Sequence, residues 1–390
     1  MDRKIYFDNA ATSWPKPKET LETIDYFSAH IGANPGRSGH SLSIDAGRTL
    51  MDAREALAEL FGVDDMRRII FTKNATEALN LMILGLIRPG DHVITSGMEH
   101  NSVMRPLRSM EESGMELDVV PCSGAGELDP DDVAKAIRPS TRAIIVTHAS
   151  NVTGTLMPLE EIGAIARNRG VFFCVDAAQT AGAVPIDIEK MSIDLLAFTG
   201  HKSLYGPQGT GGLYMAQGLE KHIPPLMMGG TGSRSEFERQ PDFLPDKYES
   251  GTPNAFGLAG LGAGVRFVLD TGIQAIRSKE TALVERLLEG LTDIPGVKIF
   301  GCRDAHRQTP VISFTIDGVS PSEAALILNE NFGIMCRPGL HCAPSAHRTI
   351  GTFPEGTIRF SMGYFNTETE IELAIDAVAR TASRNRKGVS

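Results

Sequence analysis

Two side chains that could carry out covalent chemistry follow neighbouring apolar runs of this sequence. The run Leu195–Thr199 leads through a glycine and a histidine into Lys202, and the run Val171–Val175 ends directly at Asp176. A lysine in a glycine-bounded turn after a buried strand loses hydration, which lowers the pKa of its amine and makes the amine nucleophilic. A nucleophilic amine and a fixed carboxylate are what the aldehyde and the ring nitrogen of pyridoxal 5′-phosphate (PLP) require.

Other apolar runs end in polar groups as well. Thr76 follows the run 68–72 and is a candidate N-cap, and the first turn of the helix it would open is an anion site. His100 follows the run 92–96, and Asn151 follows the run 143–147. Each residue alone has an ordinary explanation, such as a helix cap, a core histidine or a solvated lysine. Their common position after strands favours a PLP site.

The elements that must position these residues alternate along the chain. Short β-rich runs at 68–72, 92–96, 143–147, 171–175 and 195–199 are separated by helical patterns such as 77–87 and 159–169. Strands that are apolar throughout and are joined by helices predict a mainly parallel sheet covered on both faces, hence an α/β fold. Ligands of such sheets bind outside the carboxyl ends of the strands.

A second domain is predicted from the composition. Glycine, proline and serine concentrate near residues 226 to 255, and long helical patterns with strands at 311–316 and 357–361 follow. We expect residues 15–264 to form a large PLP-binding domain. Residues 1–14 and 265–390 are expected to form a smaller α+β domain.

Charge and composition exclude several classes of protein. The 390 residues carry a formal net charge of −10 without a basic block, so direct nucleic-acid binding is not expected. The longest apolar run is too short for a membrane span, and the N-terminal residues lack the apolar segment of a secretory signal. A cytoplasmic protein is therefore expected. The 5 cysteines form no CxxC pair, so neither a disulfide framework nor a metal site is expected.

Cys342 stands out among the cysteines. It lies in a loop rich in glycine and proline, directly after His341 and five positions after Arg337. Positive neighbours and exposure favour the thiolate, which is the nucleophilic form of cysteine. A packed structural cysteine is the alternative.

These motifs resemble the class V aminotransferase superfamily of fold-type I PLP enzymes, and within it the cysteine desulfurase/selenocysteine lyase family. The resemblance spans nearly the whole chain and implies a large domain with a mainly parallel seven-stranded sheet. The Arg-x-Gly-x-His-Cys pattern at 337–342 is typical of the Suf-type, or group II, branch. The motifs that carry the resemblance lie at 6–12, 74–77, 99–101, 150–154, 175–179, 199–202, 250–254, 337–342 and 359–366.

The resemblance implies a role for residues that match these motifs. Lys202 would bind PLP covalently, and Asp176 would pair with the ring nitrogen. Gln179 would bond the phenolic oxygen, and His100 would stack on the ring. The other residues expected around the cofactor are Ala75, Thr76, Asn151, Thr199, His201 and, across the interface of a homodimer, Thr252 of the partner subunit.

The same resemblance implies a reaction. Asn151 and Arg359 would bind the substrate carboxylate, while Arg337 and His341 would contact the substrate near the thiol. L-Cysteine would be converted to L-alanine and its sulfur left as a persulfide on Cys342, with L-selenocysteine as a second possible substrate and a protein as a possible sulfur acceptor. An aminotransferase, a β-lyase without a persulfide and a non-catalytic scaffold remain alternatives.

Overall fold

The computed structural model describes residues 4–36 and 39–387, which form three sheets surrounded by helices. The strands are β1 (Ile5–Tyr6), β2 (Ile69–Thr72), β3 (His92–Ser96), β4 (Glu116–Val120), β5 (Thr141–Thr147), β6 (Phe172–Asp176), β7 (Leu195–Thr199), β8 (Gly211–Met215), β9 (Val297–Phe300), β10 (Val311–Ile316), β11 (Ile334–Met335), β12 (Arg337–Gly339) and β13 (Thr357–Ser361). The helices are α1 (Lys18–Tyr26), α2 (Ser41–Phe61), α3 (Ala75–Leu86), α4 (Asn101–Glu112), α5 (Pro130–Ala136), α6 (Leu159–Arg169), α7 (Ala255–Thr271), α8 (Ile273–Thr292), α9 (Pro321–Phe332), α10 (Pro344–Thr349) and α11 (Glu368–Lys387).

The largest sheet has seven strands in the order β2-β8-β7-β6-β5-β3-β4. The pairs from β7 to β4 are parallel, and only β8 runs antiparallel to its neighbours β2 and β7. Every residue of β3 and β7 is buried, as expected for strands that helices cover on both faces. The predicted α/β fold with a mainly parallel seven-stranded sheet is therefore confirmed.

A second core lies in the C-terminal part of the chain. Strands β12, β13, β10 and β9 form an antiparallel sheet, and β1 pairs with β11 in parallel. The apolar residues of this core come from positions 283–382, together with Ile5 and Phe7 from the N-terminus. The domain boundary between residues 264 and 265 stays a prediction. Both positions lie inside α7.

The two parts meet at the carboxyl ends of the parallel strands. The carbonyl of Asn151, which follows β5, accepts a hydrogen bond from Arg359 of β13. In the described residues no single helix meets the length and hydropathy needed to cross a membrane, whereas α7 and α8 together meet them by length and composition alone, with a bend of 81° between them.

Candidate active site

A pocket of about 220 Å³ lies at the carboxyl ends of β2, β3, β5, β6 and β7. It brings together residues that are far apart in the sequence. Of the residues predicted for the site, the following line it: Ala75, Thr76, His100, Asn151, Asp176, Gln179, Thr199, His201, Lys202, Arg337, His341 and Arg359. Cys342 directly follows the lining residue His341 and is exposed.

Lys202 occupies a turn after β7 whose backbone is held from two sides. Its carbonyl oxygen accepts hydrogen bonds from the hydroxyl of Ser13 at 2.7 Å and from the amide of Tyr205 at 2.9 Å. Burial lowers the pKa of the Lys202 amine to about 8, and the carboxylate of Asp176 opposes this shift. The amine is therefore deprotonated in a larger fraction of molecules at neutral pH than that of a solvated lysine.

Asp176 is the last residue of β6 and its side chain is 4% exposed. Burial raises the pKa of its carboxyl group, whereas the hydrogen bond from the amide of Ala178, at 2.9 Å, and the charge of Lys202 lower it. The amide nitrogen of Gln179 donates to the carbonyl of Ala10 at 3.2 Å. This contact ties the turn after β6 to the N-terminal segment.

The first turn of α3 faces the pocket through Ala75 and Thr76. The prediction that Thr76 is the N-cap was wrong. Asn74 caps the helix, because its Oδ1 accepts the amide of Glu77 at 2.9 Å while Thr76 already lies in the first turn. The hydroxyl of Thr76 is thus left to contact Oγ of Ser102 at 2.8 Å. The free amides of this turn and the hydroxyl form an anion site.

His100 caps α4, since its Nδ1 accepts the amide of Ser102 at 3.0 Å. That bond leaves Nδ1 without a proton and places the proton of the neutral ring on Nε2. Burial lowers the pKa of His100 to about 4, and the charges of Lys202 and Arg337 act in the same direction. A neutral flat ring of this kind suits stacking on another ring.

Arg359 of β13 is 1% exposed and is engaged on two sides. Its Nη2 contacts Oδ1 of Asp8 at 2.8 Å, and its Nη1 donates to the carbonyl of Asn151 at 3.0 Å. Within the described part of the chain, Nε of Arg359, Oδ1 of Asn151 and Nδ1 of His201 are buried without a hydrogen-bond partner. Buried polar atoms are normally paired, so unpaired donors and acceptors around one pocket indicate a polar ligand.

These observations fit PLP. A buried amine of lowered pKa suits its aldehyde, and a buried carboxylate at the next strand end suits its ring nitrogen. The first turn of α3 suits its phosphate, because helix N-termini present free amides to anions. Among the residues that the structure describes, no group of three or more histidine, cysteine or carboxylate side chains could hold a metal ion.

Thr252 does not line this pocket. It lies with Lys73, Glu77 and Asn254 around a separate pocket of about 290 Å³. Thr252 therefore lies outside the pocket of its own chain, and its role across a dimer interface stays a prediction.

Comparison with known proteins decides the family. Residues 5–373 match the sequence profile of the aminotransferase class-V family. The chain belongs to this family. A probable cysteine desulfurase of Methanothermobacter thermautotrophicus is 36% identical over 373 residues, which cover 95% of this chain and 92% of that protein. A probable cysteine desulfurase of Pyrococcus abyssi is 35% identical over 377 residues, with 94% and 92% covered.

Two solved structures of cysteine desulfurases are similar to this chain. The apo cysteine desulfurase of Thermococcus onnurineus NA1 has a TM-score of 0.92 and 34% identity, covering 97% of this chain and 95% of that one. The cysteine desulfurase CsdA of Escherichia coli, in an S-sulfonic acid form, has a TM-score of 0.87 and 30% identity, covering 97% and 94%. Enzymes of the class V family use PLP, and this chain belongs among its cysteine desulfurases.

Sequence reasoning missed several residues that contact the predicted site residues or lie close to them. Ser102 joins Thr76 to His100 through its hydroxyl. Its position two residues after the cap of α4 is the only local signal for it. Asp8 pairs with Arg359 across 351 positions, and Glu99 is fully buried near Asp176. Both lie in motifs that carry the family resemblance, yet nothing in the sequence alone pairs Asp8 with an arginine.

Proposed function

We propose that the chain is a PLP-dependent cysteine desulfurase that converts L-cysteine to L-alanine and retains the sulfur as a persulfide on Cys342. One observation carries the proposal. The exposed Cys342 thiol stands 3.7 Å from Nη2 of Arg337, which also lines the pocket of Lys202 and Asp176. A nucleophilic thiol therefore borders the pocket whose residues fit PLP.

Different residues of the pocket would bind different parts of the cofactor. Lys202 would hold it through the amine, Asp176 and Gln179 would hold the ring, and His100 would contact the ring. Ala75, Thr76, Thr199 and His201, with Thr252 of the partner subunit in a homodimer, would hold the phosphate. When bound, PLP withdraws electrons from the substrate carbon that has lost its proton.

The same pocket binds and orients the substrate. The unpaired Nε–H of Arg359 and the second N–H of the Asn151 side-chain amide, whose first N–H binds the carbonyl of His341, donate to the carboxylate of cysteine. The amine of Lys202, once the substrate amine has released it, takes the Cα proton, because burial lowers its pKa to about 8. His100 holds a proton at Nε2 near the substrate thiol, and His341 and Arg337 border the thiol.

Sulfur transfer ends on Cys342. The Cys342 thiolate forms an S–S bond to the substrate sulfur while the Cβ–S bond breaks. The electron pair of the broken bond remains with the substrate. A proton then joins Cβ, and the proton held by Lys202 returns to Cα, which gives alanine. Nη2 of Arg337 contacts the sulfur at 3.7 Å and holds it at the border of the pocket. L-Selenocysteine would supply selenium in the same way, and a sulfur-acceptor protein in the cytoplasm would take the persulfide from the exposed Cys342.

Mass spectrometry after exposure of the protein to L-cysteine tests this function. We expect one additional sulfur on the peptide that carries Cys342, with L-alanine released. Cys342→Ser should abolish both, whereas Cys302→Ser, at a half-buried thiol outside the pocket, should change neither. Sulfide and pyruvate without a modified Cys342 would support a β-lyase instead, and transfer of the amino group to an oxo acid would support an aminotransferase.

A further inference from the structure

The backbone at Cys342 adopts a conformation that ordinary residues avoid. His341 has a φ of 51° and Cys342 a φ of 58°, so two successive residues with side chains lie in the left-handed region. Residues with a Cβ rarely adopt this region, because the Cβ crowds the following carbonyl oxygen. Such a pair persists only where the surroundings hold it in place.

A chain of three hydrogen bonds, which begins at a backbone carbonyl, holds this backbone conformation in place. Nε2 of His341 lies 3.0 Å from the carbonyl of Arg337, and Nδ1 of His341 lies 3.2 Å from Nε2 of His347. Nδ1 of His347 lies 2.7 Å from Oγ1 of Thr352. His341 and His347 are 3% and 0% exposed, so water does not compete for these bonds.

The chemistry of the partners fixes the direction of every bond in this chain. A carbonyl only accepts, so Nε2 of His341 carries the proton and its Nδ1 accepts. Nε2 of His347 must then donate, which leaves its Nδ1 to accept the hydroxyl proton of Thr352. Burial lowers the pKa of His341 to about 2 and that of His347 to about 4, so both rings are neutral at neutral pH.

Helix α10 and the backbone carbonyls of the loop connect the loop around Cys342 to the large sheet. His347 lies in α10, and the hydroxyl of Thr349 in the same helix donates to the carbonyl of Gly97 at 3.1 Å, after β3. The carbonyl of Cys342 accepts the amide of Asn101 at 2.8 Å, and that of His341 accepts the side-chain amide of Asn151 at 2.7 Å. These hydrogen bonds therefore fix the position of the Cys342 backbone relative to the strand ends that form the pocket.

We infer that His347, oriented by Thr352, is a positioning residue that fixes the ring of His341 and thereby the left-handed backbone that aims the Cys342 thiol at the substrate sulfur. The inference rests on the proposed sulfur transfer to Cys342. His347 donates the bond that fixes one ring nitrogen of His341, while the carbonyl of Arg337 fixes the other.

The test compares a reaction that needs the thiol with one that does not. L-Cysteine requires attack by Cys342, whereas β-chloro-L-alanine loses chloride without an attacking thiol. His347→Leu removes the donor to His341, and His347→Gln retains an amide donor in its place. We expect H347L to slow alanine release from L-cysteine about 10- to 100-fold, the range expected from a misplacement of about 1 Å. Chloride release should stay within about twofold of wild type, because an interaction made only during sulfur attack leaves other steps unaffected.

Two further readouts separate positioning from a general loss of structure. H347Q should recover most of the rate with L-cysteine. Amide hydrogen exchange of the segment 337–343 should be faster in H347L than in wild type, while exchange in α3 stays unchanged. If H347L does not fold, Thr352→Val decides the question by the same comparison, with a smaller loss of about 3- to 10-fold, as for one missing hydrogen bond.

Unchanged turnover of L-cysteine in H347L, or an equal loss with both substrates, would overturn the inference. So would unchanged exchange of the segment 337–343. Failure of the proposed function has a different signature, because Cys342→Ser would then keep its turnover of L-cysteine. In that case faster exchange in H347L still reports whether His347 fixes the loop.

Discussion

Nη2 of Arg337 and Sγ of Cys342 are 3.7 Å apart, although Arg337 lies in β12 and Cys342 in the turn that follows it. The carbonyl of Arg337 also accepts a hydrogen bond from His341. One residue therefore contacts the thiol through its side chain and holds the neighbouring ring through its backbone. Only the first of these contacts depends on the guanidinium group.

Arg337→Gln should consequently weaken the nucleophile without releasing the loop. The variant loses the charged donor that contacts Sγ at 3.7 Å. We expect turnover of L-cysteine and alkylation of Cys342 by iodoacetamide each to fall about tenfold, as for the loss of one contact of about 1.4 kcal/mol to a charged group. Arg348→Gln is the matched control, because this arginine of α10 packs on the ring of Phe353 instead. Equal alkylation rates in R337Q and wild type would contradict the role of Arg337.

Asp176→Asn should leave the pocket in place and remove its fixed anion. Turnover of L-cysteine is expected to fall about 10²- to 10³-fold, as when one preorganised electrostatic partner is lost. The pKa of Lys202 should fall further below about 8, because the carboxylate of Asp176 raises it.

The control for this change is Asp194→Asn. Asp194 is half-buried and accepts the amide of Phe173 at 2.8 Å, but it directly precedes β7 and so lies at the amino end of that strand, opposite to the pocket. Rates measured from about pH 6 to 9, on either side of the lowered pKa of Lys202, should show the loss for D176N only. Comparable losses in both variants would mean that Asp176 acts through folding alone.

Glu99 predicts a pH dependence of stability. Burial raises the pKa of its carboxyl group from 4.5 to about 8, although Ser96 and the amide of Thr147 donate to it. A group whose pKa is raised by folding stabilises the protein fully below pH 4.5, and this contribution is lost as the pH rises through 8.

Glu99→Gln removes this loss, because an amide does not ionise. Between about pH 6 and 8 the free energy of unfolding of E99Q should rise relative to wild type by about 2–3 kcal/mol. Urea denaturation at each pH measures the difference. Glu161→Gln, at an exposed position of α6, should show no such trend. A constant difference between E99Q and wild type would exclude a buried, protonated Glu99.

Arg54 and Glu249 form a buried ion pair that holds the segment before Thr252. Both nitrogen–oxygen distances of the pair are 2.8 Å, and Oε1 of Glu249 also accepts the amide of Phe71 at 2.7 Å. Arg54→Met leaves the largely buried carboxylate of Glu249 without its positive partner, which should cost about 3–5 kcal/mol in the free energy of unfolding. The side chains of the pair are 8% and 19% exposed, so solvent screens it little.

The double variant R54M/E249Q should recover part of this loss, because the side-chain oxygen of the new amide would still accept the backbone amide of Phe71 without carrying a charge. Arg266→Met, which breaks an exposed pair with Glu59, should cost less than about 1 kcal/mol. Chemical denaturation at neutral pH distinguishes the three variants. Equal losses in the free energy of unfolding in R54M and R266M would show that the buried pair stabilises the protein no more than the exposed pair does.

Much of the site could be predicted because it depends on local order along the chain. Apolar runs define the strands, and the carboxyl ends of parallel strands meet at one edge, so Asp176 and Lys202 were expected to converge there. The boundaries of β3 and β7 were predicted to the residue. The choice of Asn74 over Thr76 as the cap of α3 could not be made in this way, because both residue types cap helices and the backbone decides between them.

The sequence by itself determined the fold class, the convergence of an amine and a carboxylate on one pocket, and the presence of a cysteine in a loop with positive charge. Only the tertiary structure decided that Asp8 engages Arg359, that Ser102 joins Thr76 to His100, and that His347 holds the ring beside Cys342. The physical reason is that strand periodicity and turn chemistry are written in neighbouring residues. Hydrogen bonds between buried side chains depend instead on distances that exist only once remote segments have packed.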